Sequence, residues 1–173
     1  ALTLPSPRVA GRGCRRRVRV RPIRLVLCAA FVAACAARAQ VGPLEDLASF
    51  PRGRLEIQTG SATHRFDVWI ADTPERQAQG LMFVRDLPPD RGMVFVHEPP
   101  RTTSMWMKNT YIELDMLFVA RGRIVEIAPR ARPHSLETIG SDTAVSAVIE
   151  LRGGEAERRA FKVGDRIRIL RRI

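Results

Sequence analysis

From His64 to Ala71 the chain sets Phe66, Val68 and Ile70 against Arg65, Asp67 and Trp69, the two-residue period of a strand with one face turned to a core. The same kind of run recurs along the sequence. Arg54 to Thr59 precedes it across a Gly60-Ser61 turn. Gly92 to Glu98 alternates Met93, Phe95 and His97 against Val94 and Val96, and Pro99-Pro100 is expected to stop it. Thr102 to Met107 continues in extended form, with Thr103, Met105 and Met107 on one face and Ser104 and Trp106 on the other. Leu114 to Ala120 and Arg123 to Ala128 form a hairpin around Arg121-Gly122, and Thr143 to Leu151 and Arg166 to Leu170 complete the set. Helical signals are short: a turn at Leu44 to Ala48, a helix capped by Asp72 with Pro74 and Glu75 in its first turn and Gly80 at its end, and a turn within Gly154 to Phe161. Pro129 to Asp142 reads as the longest loop. About eight short strands without long helices between them exclude βαβ units and predict a mainly β fold, a compact antiparallel β-barrel or sandwich with one or two short helices.

The formal net charge of +11 would suggest a polyanion binder, but its distribution removes that inference for the domain. Nine arginines and no acidic residue precede Gln40, which leaves +2 for the remainder. The arginines after Gln40 are scattered rather than striped, and no stripe of aromatic and basic residues marks a nucleic-acid partner. Residues 1–39 read as a leader: upstream sequence, then a basic segment Arg15 to Arg24, an apolar run Leu25 to Ala37, and Ala37-Arg38-Ala39 before Gln40. That apolar run is shorter than the ~20 residues a membrane span requires. Val32-Ala33-Ala34-Cys35 offers a second processing route, a lipid-anchored Cys35 at the mature N-terminus. Periplasmic or secreted protein is the expectation, with membrane contact only through the signal or that anchor. Residues 40–53 then link to a single domain over 54–171. Cys14, Cys28 and Cys35 all lie in the leader region, so a domain beginning at Gln40 has no disulfide, thiolate metal site or cysteine nucleophile.

Five groups of residues carry a family resemblance. Glu75-Arg76, Gly80-Leu81-Met82, Gly92-Met93-Val94-Phe95, Trp106-Met107-Lys108-Asn109-Thr110 with Leu114-Asp115, and Val163-Gly164-Asp165 follow one another in an order and spacing similar to domain-of-unknown-function family 192. The resemblance runs from about Arg54 to Leu170. It departs at Glu113, where the family pattern has proline. It implies a compact, mainly β domain, often exported in bacteria, and transfers no catalytic residue and no cofactor.

Ser104 to Met116 gathers three of the five methionines, one of two tryptophans and one of two lysines, and so reads as either the heart of a core or the floor of a site. Within it, Trp106, Lys108, Asn109, Thr110, Glu113 and Asp115 supply an aromatic ring, a cation, an amide and two carboxylates. That set can grip a polar ligand or protein partner, or perform acid and base work through Lys108 and Asp115 in an envelope hydrolase or lyase. The structural alternative has Asn109 and Thr110 shaping a turn and Lys108 paired with a carboxylate. Met93, Met105, Met107 and His97 supply soft ligands of the kind that bind Cu(I), although methionines at alternate strand positions are more often core filling. His64 and His134 have no metal-ligand spacing and read as surface or loop residues. No nucleophile elbow, zinc-protease helix, phosphate loop or dinucleotide fingerprint is present. The chain is therefore expected to bind an envelope ligand or protein around Met105 to Asp115.

Overall fold

The alternating runs become seven strands. In a computed structural model describing residues 44–171, they are β1 (Arg52–Gln58), β2 (Thr63–Ala71), β3 (Arg91–Met105), β4 (Leu114–Ala120), β5 (Arg123–Ala131), β6 (Ile139–Arg152) and β7 (Arg166–Arg171). Two short helices interrupt them, α1 (Pro74–Gln79) and α2 (Glu155–Arg158), and a 3-10 turn at Leu47–Ser49 precedes them. The leader, its cleavage after Ala39 and the lipidation of Cys35 lie outside the described residues. The strands close into a barrel in the order β1-β2-β3-β6-β4-β5-β7. Every neighbouring pair is antiparallel except β2 with β3, which α1 separates and which run parallel.

Three local expectations are corrected. The prolines do not end β3: Pro99 and Pro100 fall in an irregular stretch between Val96, paired with Ala147, and Arg101, paired with Val145, so no ladder position needs their missing N–H. One long strand thus replaces the two expected, and the count is seven. The cap of α1 is Thr73, whose Oγ1 accepts the Arg76 N–H at 3.3 Å, while Asp72 pairs instead with the Arg76 guanidinium at 3.0 Å. The presumed loop over Pro129 to Asp142 is shortened at both ends, because β5 extends to Ala131 and β6 begins at Ile139.

Over residues 92–95, 147–151 and 114–119, strands β3, β6 and β4 bury both faces. Val94, Leu117, Val119, Ala147, Ile149 and Leu151 join Leu55, Phe66 and Ile70 in the barrel interior, whereas Met93, Phe95, Met116, Phe118 and Val148 form a second apolar layer outside it. Leu81, Leu87 and Met107, from the connections on that side, cover this outer layer. Such two-sided burial is unusual in antiparallel sheets, which commonly leave one face in water.

Two carboxyl groups lie within these layers on opposite terms. Asp115, fully buried, has both oxygens satisfied: Oδ1 accepts from the backbone N–H of Arg130 at 2.8 Å and of Gly154 at 3.0 Å, and Oδ2 from Ala156 at 2.7 Å. Gly154, at φ 86°, opens α2 with no side chain to cap it, so Asp115 caps the helix from another strand. Glu150 sits on β6 directly between Met93 of β3 and Met116 of β4, only 4% exposed, and its Oε2 has no partner. Burial pushes its pKa up to about 8, so the neutral acid occupies the apolar layer.

Asp115→Ala strands three backbone donors, at roughly 1–3 kcal/mol each, and is expected to lower unfolding free energy by about 3 kcal/mol or more in urea titrations; Asp115→Asn, which keeps one acceptor, loses less. For Glu150, the unfolded carboxyl releases its proton near 4.5 and the folded one near 8, so stability falls as pH rises through that window, by an amount on the order of a few kcal/mol. Glu150→Gln removes this contribution, read as a smaller loss, or a gain, in urea midpoint from about pH 5 to about pH 8 than the parent shows.

Candidate functional site

Two connections cover the outer apolar layer, residues 80–90 after α1 and 106–113 between β3 and β4, and a third, 132–138 between β5 and β6, is bonded to the second. Their backbones are tied together. Phe83 N–H donates to the Asn109 carbonyl at 2.8 Å, His134 N–H to Thr110 at 3.2 Å, Met107 N–H to Ser135 at 3.0 Å, and Thr110 N–H to Met107 at 3.1 Å. Each connection carries one non-glycine residue in the left-handed region: Phe83 at φ 65°, Asn109 at 58° and His134 at 61°. Asparagine tolerates that region and phenylalanine does so at a cost, so the surrounding bonds hold Phe83 in a conformation it would otherwise leave.

The backbone arrangement displays a set of rings and cations. Trp106 is 48% exposed and Phe83 43% exposed. The Lys108 ammonium lies 5.2 Å from the Trp106 ring centre. Tyr111 meets Phe83 edge to face at 5.9 Å, His134 at 5.2 Å, and the Arg85 guanidinium at 4.7 Å. Trp106 is thus no core residue: the alternation that buries Met107 and half-buries Met105 turns the indole outward.

The residues singled out from the sequence separate into three groups. Trp106 and Lys108 are exposed and together, and among the described residues Lys108 makes no ion pair. Asn109 and Thr110 shape the connection, Asn109 Nδ2 reaching Met82 Sδ at 3.9 Å and Thr110 Oγ1 donating to the Lys108 carbonyl at 3.4 Å. Asp115 is occupied with backbone donors, and Glu113 pairs with Arg130, which also holds Glu157, both at 3.4 Å. Lys108 and Asp115 therefore face different environments. His97 is buried with neither ring nitrogen partnered, and burial and the nearby Arg101 hold its pKa below the usual value. It lines a cavity of ≈ 420 Å³ with Asp72, Gln77 and Arg101, whose lining includes none of Met93, Met105 and Met107. His64 lies on β2, edge-on to Phe161 at 5.3 Å, its pKa pushed down by burial and by Arg159.

Phe83, Arg85 and Tyr111 escaped notice in the sequence. Leu81 to Pro89 carries no periodicity and was legible only as a turn, and a single tyrosine after a turn has no spacing signal. Glu150 did leave a trace, as one acid within the apolar run Val145 to Leu151.

The model of family DUF192, described as an uncharacterized ACR, matches residues 55–169. A crystal structure from Sinorhizobium meliloti 1021, of a candidate transcription regulator, is 41% identical, covers 70% of this chain and 95% of its own, and has a TM-score of 0.68. Another, of a protein of unknown function from Novosphingobium aromaticivorans DSM 12444, is 32% identical, covers 73% of this chain and 91% of its own, and has a TM-score of 0.69. No curated protein matches. With a family match over most of its length and these two relatives sharing its fold, the chain belongs to domain-of-unknown-function family 192.

Proposed function

We propose that this domain is an exported binding module of the bacterial envelope that grips a protein partner through the exposed surface of Trp106, Lys108, Phe83, Arg85 and Tyr111. The observation that carries this reading is the composition of that surface: Trp106 beside Lys108, and Tyr111 beside Phe83 and Arg85, rich in the residue types that dominate binding energy at protein interfaces, stand on connections tied backbone to backbone. Preorganisation adds to it, since rings already held in place lose little freedom on binding. The leader before Gln40 supports export, with Cys35 as the alternative mature N-terminus. Acid and base chemistry through Lys108 and Asp115 has weaker support, because both Asp115 oxygens are engaged by three backbone donors. A regulator's role, as for the Sinorhizobium relative, would call for a DNA-reading element, and the surface around Trp106 offers rings and two cations rather than a groove-sized helix or ribbon.

The test uses protein recovered from the envelope, whose intact mass is expected to place the N-terminus at Gln40 or at a lipidated Cys35. On this material Trp106→Ala is expected to change unfolding free energy by no more than about 0.5 kcal/mol, as for a surface residue, yet to weaken retention of the envelope partner by roughly thirtyfold, the loss of a hot spot worth ~2 kcal/mol. Equal retention by parent and variant, or an intact leader on stable protein, contradicts the proposal.

A further inference from the structure

On the barrel wall formed by β2, β1 and β7, a cleft of ≈ 550 Å³ is lined by Arg65, Arg121, Arg123, Arg166 and Arg168, with Glu56 its one carboxylate. Strand pairing arranges these residues in two rows on one face. In the first, Arg168, Glu56 and Arg65 stand side by side across β7, β1 and β2, and Arg65 Nε reaches Glu56 at 3.1 Å. In the second, Arg123 of β5 faces Arg166 of β7, followed by Gln58 and Thr63, with no carboxylate in the row.

Arg123 opposite Arg166 is the single register pair that joins β5 to β7 and so closes the barrel. Like charges directly opposite on neighbouring strands destabilise a sheet, and the turn feeding this seam adds a second cost, Arg121 at φ 52°. A closing seam built against local preference, beside a cleft with a lining charge of +4 from five arginines and one glutamate, has a physical rationale when an anion lies between the guanidinium groups. Arginine forks match phosphate oxygens two at a time. The cleft's volume is that of a small-ligand site, and its lining holds no aromatic ring on which a base would stack. We propose that this cleft binds a compact anion bearing two or more phosphate groups, either a soluble phosphate ester or the phosphorylated headgroup of a lipid.

Calorimetry and thermal unfolding with inorganic tripolyphosphate provide the test. Tripolyphosphate is expected to bind and to raise Tm by several degrees, beyond the effect of sodium sulfate at matched ionic strength. Arg166→Gln, which relieves the facing charges, is expected to unfold no lower than the parent without ligand while losing at least about tenfold in tripolyphosphate affinity, a change of 1.4 kcal/mol. Arg168→Gln is expected to lose similarly, and Arg54→Gln, an equal charge change outside the cleft, to bind as the parent. Vesicles of phosphatidylcholine with and without cardiolipin, whose headgroup carries two phosphates, separate the sources: sedimentation of the parent but not of Arg166→Gln with the acidic vesicles assigns a lipid headgroup, and tripolyphosphate binding alone assigns a soluble ester. The proposal is overturned if sulfate equals tripolyphosphate at matched ionic strength, if Arg166→Gln binds as the parent does, or if duplex DNA binds more tightly than tripolyphosphate with affinity growing with its length.

Discussion

Over residues 92–95, 114–119 and 147–151, strands β3, β4 and β6 have no face left for water. Their inward residues fill the barrel, and Met93, Phe95, Met116, Phe118 and Val148 on the other side must be covered by something else. The cover comes from the connections 80–90 and 106–113, anchored by Leu81, Leu87 and Met107, with 132–138 bonded to the second of them. A connection used as a packing layer cannot wander as surface loops do, and its buried backbone groups need partners. The bonds among Phe83, Asn109, Met107, Ser135, Thr110 and His134 supply them. Rigidity at the Trp106 surface is therefore a consequence of how the core is covered, and it gives a binding surface that is formed before any partner arrives.

The same requirement separates scaffold from display within one short stretch. Met107 points into the layer, Thr110 is buried beside it, and Asp115 reaches through β4 to hold Arg130 and the start of α2. Trp106 and Lys108, out of phase with Met107, are left on the surface. Ser104 to Met116 is thus both core and surface, because successive residues of an extended chain face opposite ways. Glu150 shows the limit of the arrangement: an acid in the methionine layer is tolerated by staying protonated, and its cost appears as pH rises.

Much of the fold was legible in the sequence because alternation and turn signals are local. The strand Leu114–Ala120 and the Arg121-Gly122 turn stand where the pattern puts them, as does the helix ending at Gly80. Pro99-Pro100 misled, since proline forbids a ladder bond but not a strand, and an irregular stretch removes the conflict. The site was legible in part. Trp106 and Lys108 stand out by composition, whereas Phe83, Arg85 and Tyr111 come together only through contacts between separate connections. The arginine cleft is the clearest case: arginines scattered along the chain become two rows only when β7 pairs with β1 and β5, a closure no local spacing records.

If the connections are a packed layer of the fold, their amides are protected almost as well as the barrel's. Native-state hydrogen exchange on Phe83, Met107, Thr110 and His134, compared with the β6 amides of Val148 and Ile149, measures this directly. The account predicts that the four exchange within about two orders of magnitude of the β6 amides and lose protection together with them as denaturant is added. Exchange of these four at the rates of an unstructured chain, while β6 stays protected, would show that the surface around Trp106 is assembled only on binding and would contradict it.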